Sequence, residues 1–424
     1  MTLVAIFIAL VFLLSLVSGR MERTIVTAPI VFTGVGMVAF FFLPGVRDRQ
    51  ANLELLLQIA EVGLVLLLFT DASRTDLQVL KNIRNLPVRL LSTGMLLTIL
   101  LGALGALAVF PKLSIWEAGI LAAILAPTDA GLGQIIVNSP RVPMKIRQAL
   151  NVEAGLNDGL SVPFLLFFIA LGSGGTQGEH ARLTKFIIEQ LGYGTLVGLG
   201  IGGIGGWLLG VAHRRKWMAH SWAQLGLVAL PLLCLLASEE VGASMFIAAF
   251  VAGLAVQVGF KDAAIHSVEF TEQWGQLFNF SVFLLFGLLV ARDWRQFNAL
   301  HAVYAVLSLT VVRMLPVAIA LIGTRLSRAT VLFMGWFGPR GLASIVLGLV
   351  YLEQQTHQSG ESTIRLAVMV TVLLSIFAHG LSALPGMGIY ARKISALPPT
   401  AAELEGSSAE IRDPTAIPPH SSDV

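Results

Sequence analysis

Charge is what this sequence has least of. Asp, Glu, Lys and Arg make up 12% of its 424 residues, whereas 55% are hydrophobic and the mean hydropathy is +0.80. Soluble domains carry roughly 25% charged residues, so a water-soluble chain is excluded and an integral membrane protein is implied. Cysteine is nearly absent. The single Cys234, in an apolar run, leaves no disulfide framework and no thiolate metal site. No G-x-x-x-x-G-K-[ST] phosphate loop occurs, which argues against a built-in nucleotide site and against ATP-driven transport. The pI near 9.2 does not signal nucleic acid, because the basic residues are scattered over short connections and form no continuous patch. The expected partner is the lipid bilayer.

What is present in abundance is apolar runs of spanning length. A helical span needs about 20 mostly apolar residues, and about 13 candidates can be read along the chain. Those that carry the argument are 53–71 (third), 115–137 (fifth), 146–172 (sixth), 184–212 (seventh), 299–324 (eleventh), 330–352 (twelfth) and 363–389 (thirteenth). The first, at 3–18, lacks the flanks of a signal peptide and is read as a retained span. Basic residues concentrate on alternate connections, among them Arg141, Lys145 and Arg147, then Arg214, Arg215 and Lys216, then Arg325 and Arg328. The positive-inside rule makes that side cytoplasmic, with the N-terminus outside and the C-terminus inside a cell membrane. The division expected is a membrane domain over 1–390 and a disordered cytoplasmic tail over 391–424, rich in Pro, Ser, Ala and Glu.

The fold class is thus all-α and polytopic. Thirteen spans divide into two six-span halves around one linker, and an odd offset inverts one half relative to the other, the plan common in secondary transporters. One correspondence supports it. The fifth span contains LAPTDAGLG and the twelfth MGWFGPRGLAS, each placing a proline, Pro127 or Pro339, among Gly and polar residues in mid-span. Proline removes a backbone donor, and non-helical backbone at membrane depth is tolerated only inside protein or beside a water-filled cavity. Helices five and twelve are therefore expected to be discontinuous and to flank a binding site. In the seventh span, Gly198, Gly202, Gly206 and Gly210 form a close-packing stripe, within the bundle or at a dimer seam.

Asp71, Asp129, Glu153, Asp158, Arg313 and Arg340 all fall in spans. Each such charge costs roughly 2.5–3.5 kcal/mol if it faces lipid, so the set must face one another or an interior cavity. On the sixth span, in NVEAGLNDGLSV, Glu153 and Asn157 are four apart and share a helix face, whereas Asp158 points elsewhere. Glu153 has two available cations, Arg313 and Arg340, and either pair would be structural. Asp158 is then left to the cavity with Asn157, Thr128 and Asp129, an oxygen-rich set suited to a hard monovalent cation. Desolvation favours the neutral form of a carboxylate, so Asp158 can hold either a proton or a cation, and alternating access would couple the two fluxes. Asp71 closes the third span and reads either as a cavity carboxylate or as the polar end of a helix.

Four motifs then carry a resemblance: TDA in the fifth span, VEAGLNDG in the sixth, VVR in the eleventh and GPRGLAS in the twelfth. Together they resemble the NhaP and sodium/hydrogen-exchanger branch of the cation:proton antiporter-1 family, over nearly all of the chain to about residue 390. The resemblance implies a homodimer with crossing discontinuous helices five and twelve, and exchange of Na+, or of K+ or Li+, for H+ without a cofactor. It also implies that Asp158 is the ion and proton carboxylate, supported by Thr128, Asp129 and Asn157, that Glu153 and Arg313 form the stabilising pair, and that the Asn157–Asp158 dipeptide goes with electroneutral exchange. One position departs: where some archaeal members place a serine hydroxyl at the ion, this chain has Ala154.

Two rivals are weighed against this reading. Intramembrane aspartyl proteases resemble Tyr-Asp and Gly-x-Gly-Asp patterns, which do not occur here, so the chain is not read as an enzyme. A cation channel could use the same oxygen ligands, but no filter-like run is visible.

Overall fold

The computed structural model describes residues 2–21, 24–43, 53–74, 85–137, 139–172, 187–353, 359–398 and 400–404. Among the described residues there is helix and no strand, as lipid requires of a chain that must satisfy every backbone polar group internally. The first helices are α1 (Thr2–Met21), α2 (Ala28–Phe42) and α3 (Leu53–Arg74). A short α4 (Asn85–Arg89) follows and runs through a π-helical turn at Leu90–Gly94 into α5 (Met95–Val109). The fifth span is two pieces, α6 (Ile115–Ile124) and α7 (Ala130–Val137), and is followed by the 29-residue α8 (Met144–Gly172). Then come α9 (Gly194–Arg214), α10 (His220–Val241), α11 (Met245–Gly259) and the long α12 (Lys261–Asp293). The eleventh span is α13 (Ala299–Leu309) and α14 (Val311–Ala320), and the twelfth is α15 (Arg328–Trp336) and α16 (Leu342–Glu353). The last helix, α17 (Glu361–Ile394), has 34 residues. Among the described residues, eight helical stretches are long and apolar enough to cross a membrane.

Local sequence explains where the interrupted helices begin. Ser114 caps α6 in a reciprocal box with Glu117, and Ser327 accepts from the Thr330 N–H to cap α15, each satisfying an otherwise orphaned donor. Both stop where the chain leaves helical geometry, at Ala126–Asp129 and at Phe337–Gly341, as the two mid-span prolines require. The glycine stripe resolves as a seam within the bundle. Gly198, Gly202, Gly206 and Gly210 lie against the α11 backbone near the carbonyls of Ala248, Ala252, Val256 and Gly259, leaving no room for a methyl.

The main apolar core runs between α3, α6, α8, α11, α12, α16 and α17, and includes Phe69, Ile120, Leu165, Phe283, Val346 and Ile376. A second cluster gathers Ile146, Ala149, Phe333, Met334, Tyr390 and Ile394 at one end of the molecule. The tail expected to be disordered from residue 391 departs from that reading at its start. Helix α17 continues to Ile394, and the chain to Leu404 lies against the second cluster through Leu397 and Leu404, an apolar pair able to cover exposed core. The remainder of that expectation, 405–424, lies outside the described residues.

Candidate functional site

The two interrupted spans meet where the Asp129 N–H donates to the Pro339 carbonyl at 2.8 Å. Each then supplies the charge that the other's broken ends require. Arg340 sends one guanidinium nitrogen to the carbonyls of Ala126 (2.6 Å) and Pro127 (2.9 Å), just past the C-terminal end of α6. Asp129 accepts the Leu132 N–H in the first turn of α7 at 3.0 Å, and with its other oxygen the Leu342 N–H at the start of α16 at 2.6 Å. Helix C-termini carry partial negative charge and N-termini partial positive charge, so a cation at the first and an anion at the second offset both. Arg340 is fully buried and Asp129 is 6% exposed. Arg340 makes its two bonds through one terminal nitrogen, and its Nε and Nη2 are buried with no hydrogen-bond partner.

Two glycines of the GPRGLAS motif are dictated by this packing. A Cβ on Gly341 would overlap the Asp129 carboxylate, and one on Gly338 would overlap the Arg313 guanidinium.

Helix α8 supplies the rest. Asn157 donates from Nδ2 to the Thr128 Oγ1 at 2.7 Å and accepts the Thr128 N–H at 3.2 Å, tying the unwound stretch to α8. Glu153, which shares the Asn157 face, is paired with Arg313 at 2.5 Å with both side chains buried; Arg340 is not its hydrogen-bonded partner. Asp158 is half-buried, and its Oδ1 is buried with no hydrogen-bond partner. The like charges acting on it are Asp129 and Asp71, and the attractive one is Arg340. Asp71 lies within α3, which continues to Arg74, and its side chain abuts Gly155 of α8.

A cavity of about 20 Å³ lies against the crossing, lined by Thr128, Asp129, Glu153, Ala154, Phe337 and Pro339 among others. That is room for about one water-sized occupant. Ala154 presents a methyl where a hydroxyl would have offered an oxygen.

The transmembrane sodium/hydrogen exchanger family matches residues 6–385, which includes every residue of the crossing. The chain belongs to the sodium/hydrogen exchanger family. Among curated relatives, a Na+/H+ antiporter of Schizosaccharomyces pombe is 28% identical over 65% of this chain and 65% of its own length. A K+/H+ antiporter, NhaP, of Alkalimonas amylolytica is 26% identical over 82% of this chain and 60% of its own. The matched part therefore spans about two thirds or less of these relatives. Among solved structures, the sodium proton antiporter MjNhaP1 of Methanocaldococcus jannaschii superposes with a TM-score of 0.70 at 19% identity, covering 90% of this chain and 99% of that one. That likeness shows a shared fold.

Several residues at the crossing escaped sequence reasoning. Ser375 in α17 accepts the Arg340 N–H at 2.6 Å and contacts His379 one turn on at 3.1 Å. The available signal was a Ser and a His four apart in an apolar span, which places both on one face. Asn279 of α12 is buried beside Gly131 and Asp129, with an unpartnered Oδ1. A lone amide in an apolar run was its only mark.

Proposed function

We propose that the chain exchanges a monovalent cation for protons across the bilayer, with cation and proton competing for Asp158. The observation that carries this reading is the unsatisfied Asp158 Oδ1 beside a crossing whose Asp129 carboxylate is already engaged at both oxygens. A buried carboxylate oxygen without a donor gains by taking either a proton or a hard cation. The neighbouring Asp129 and Asp71 charges favour any positive occupant, and Arg340 opposes it. Thr128, Asn157 and the freed backbone of the unwound stretch stand as supporting oxygen donors, with Asp129 shaping the site through the helix ends it holds.

One proton per cation is proposed because Asn157 adds no second titrating group to the dipeptide. Na+ is the proposed cation, with K+ and Li+ as competitors at a site where Ala154 contributes no oxygen. A homodimer in the cell membrane, with the N-terminus outside and the C-terminus cytoplasmic, belongs to the same proposal. It rests on the motif resemblance and on the placement of basic residues.

The test is proton movement in acid-loaded proteoliposomes carrying an internal pH dye, on addition of Na+, K+ or Li+ with and without a clamped potential. Lumenal alkalinisation insensitive to the clamp is expected. A channel would move cation without protons, and that outcome would overturn the proposal.

A further inference from the structure

The N-terminal ends of α6 and α15 are each held by a buried glutamate. At α6, Glu117 completes the Ser114 box and its other oxygen accepts the Gly360 N–H at 2.7 Å, just before α17. At α15 the equivalent group comes from far along the chain. Glu403, 1% exposed, accepts the Ser327 N–H at 2.6 Å and the Thr330 hydroxyl at 2.9 Å. Thr330 Oγ1 also lies 3.0 Å from the Tyr390 hydroxyl, and the Tyr390 ring stacks on Phe333 of α15 with centroids 4.1 Å apart. One residue earlier, the Ala402 carbonyl accepts Lys145 Nζ at 2.8 Å, at the start of the helix that bears Glu153, Asn157 and Asp158. The segment after α17 therefore bridges the N-terminal ends of α15 and α8.

We propose that Glu403 is a positioning residue for exchange: by capping α15 it holds the register of the Phe337–Gly341 crossing against α8, and so sets the geometry around Asp158. The proposal rests on the exchange reading above. The path is short. Helix α15 has nine residues, and at its far end lie Gly338 against Arg313, Pro339 under Asp129, and Arg340 over the α6 carbonyls. A rigid segment of little more than two turns transmits a shift at its N-terminus to its C-terminus. The cap is also built for an ionised group. Burial pushes the Glu403 carboxyl up, and the hydrogen bonds from Ser327 and Thr330 outweigh it, leaving it below the ordinary glutamate range.

The test compares the full-length wild type with Glu403→Ala and Glu403→Gln, reading transport in proteoliposomes and amide hydrogen exchange in the same preparations. Loss of a cap shifts a local equilibrium by about fivefold. Glu403→Ala is expected to raise amide exchange at 327–331 and at 338–342, and to change the apparent KM for the cation by a comparable factor. Glu403→Gln keeps an acceptor and should restore much of both. A merely structural role would lower the amount of active protein and leave KM unmoved. Unchanged protection at 338–342 in Glu403→Ala overturns the positioning role whatever the vesicles do, as does an unchanged KM in active vesicles. Wild-type vesicles that move no protons contradict the exchange reading itself, a separate failure.

Discussion

Asp129 and Arg340 are charges donated across the crossing: each lies on one interrupted span and satisfies the broken helix ends of the other. Arg340 covers the carbonyls after α6, and Asp129 covers the first N–H groups of α7 and α16. The broken ends thereby find partners within the protein, while Asp158 keeps a buried oxygen with no hydrogen-bond partner.

Removal of Asp129 should first be a stability defect. Asp129→Ala strands two buried N–H donors, each worth about 1–3 kcal/mol when unsatisfied, so the melting temperature in detergent should fall further than for Asp158→Ala. Equal melting temperatures for the two variants would contradict the helix-end role.

Gly341 and Asp129 should behave as one unit. A methyl at 341 meets the carboxylate that holds α16, and overpacking of this kind costs about 1–3 kcal/mol. The double variant Gly341→Ala with Asp129→Ala should be less destabilised than the sum of the single variants, because the clash disappears with its partner. A double-mutant cycle by thermal unfolding measures the difference.

Breaking the Glu153–Arg313 pair from one side should cost about 3–5 kcal/mol, since an uncompensated charge remains buried. Glu153→Ala is expected to unfold earlier, and joint replacement of both residues by apolar side chains of similar volume should recover much of the loss. An unchanged melting temperature for Glu153→Ala would refute the structural role.

Acid should release the segment after α17. The folded carboxyl of Glu403 lies below its ordinary range, so its contribution is complete above that range and is lost as pH falls through the lowered folded value. The other titratable side chains facing this segment are Tyr390, through the Thr330 hydroxyl, and Lys145, on the Ala402 carbonyl. Amide protection over 395–404 should therefore decline toward acid pH in the wild type and be flat in Glu403→Gln.

Much of this architecture was legible before any coordinates. Pro127 and Pro339 forced breaks at matching depth, and the four-residue spacing of Glu153 and Asn157 put both on the face where α8 meets Thr128 and Arg313. Composition could not foresee which broken end each charge would serve, because a cap across 213 residues of sequence is decided by tertiary packing alone. Asp129 therefore read as a supporting ion ligand for Asp158, although its two oxygens are engaged by backbone donors. Glu403 was hidden for the converse reason. A Pro-, Ser- and Glu-rich end has the composition of a disordered tail, and nothing in it marks one glutamate as the partner of Ser327 and Thr330.

The most direct test of the central claim is the apparent KM for the transported cation as a function of pH in proteoliposomes, for the wild type and for Asp158→Asn. Competition at one carboxylate predicts that KM rises as pH falls, approaching about tenfold per unit in the acid limit, with the maximal rate little changed and with no transport in Asp158→Asn. A KM independent of pH, or cation-coupled proton movement surviving in folded Asp158→Asn, would contradict it.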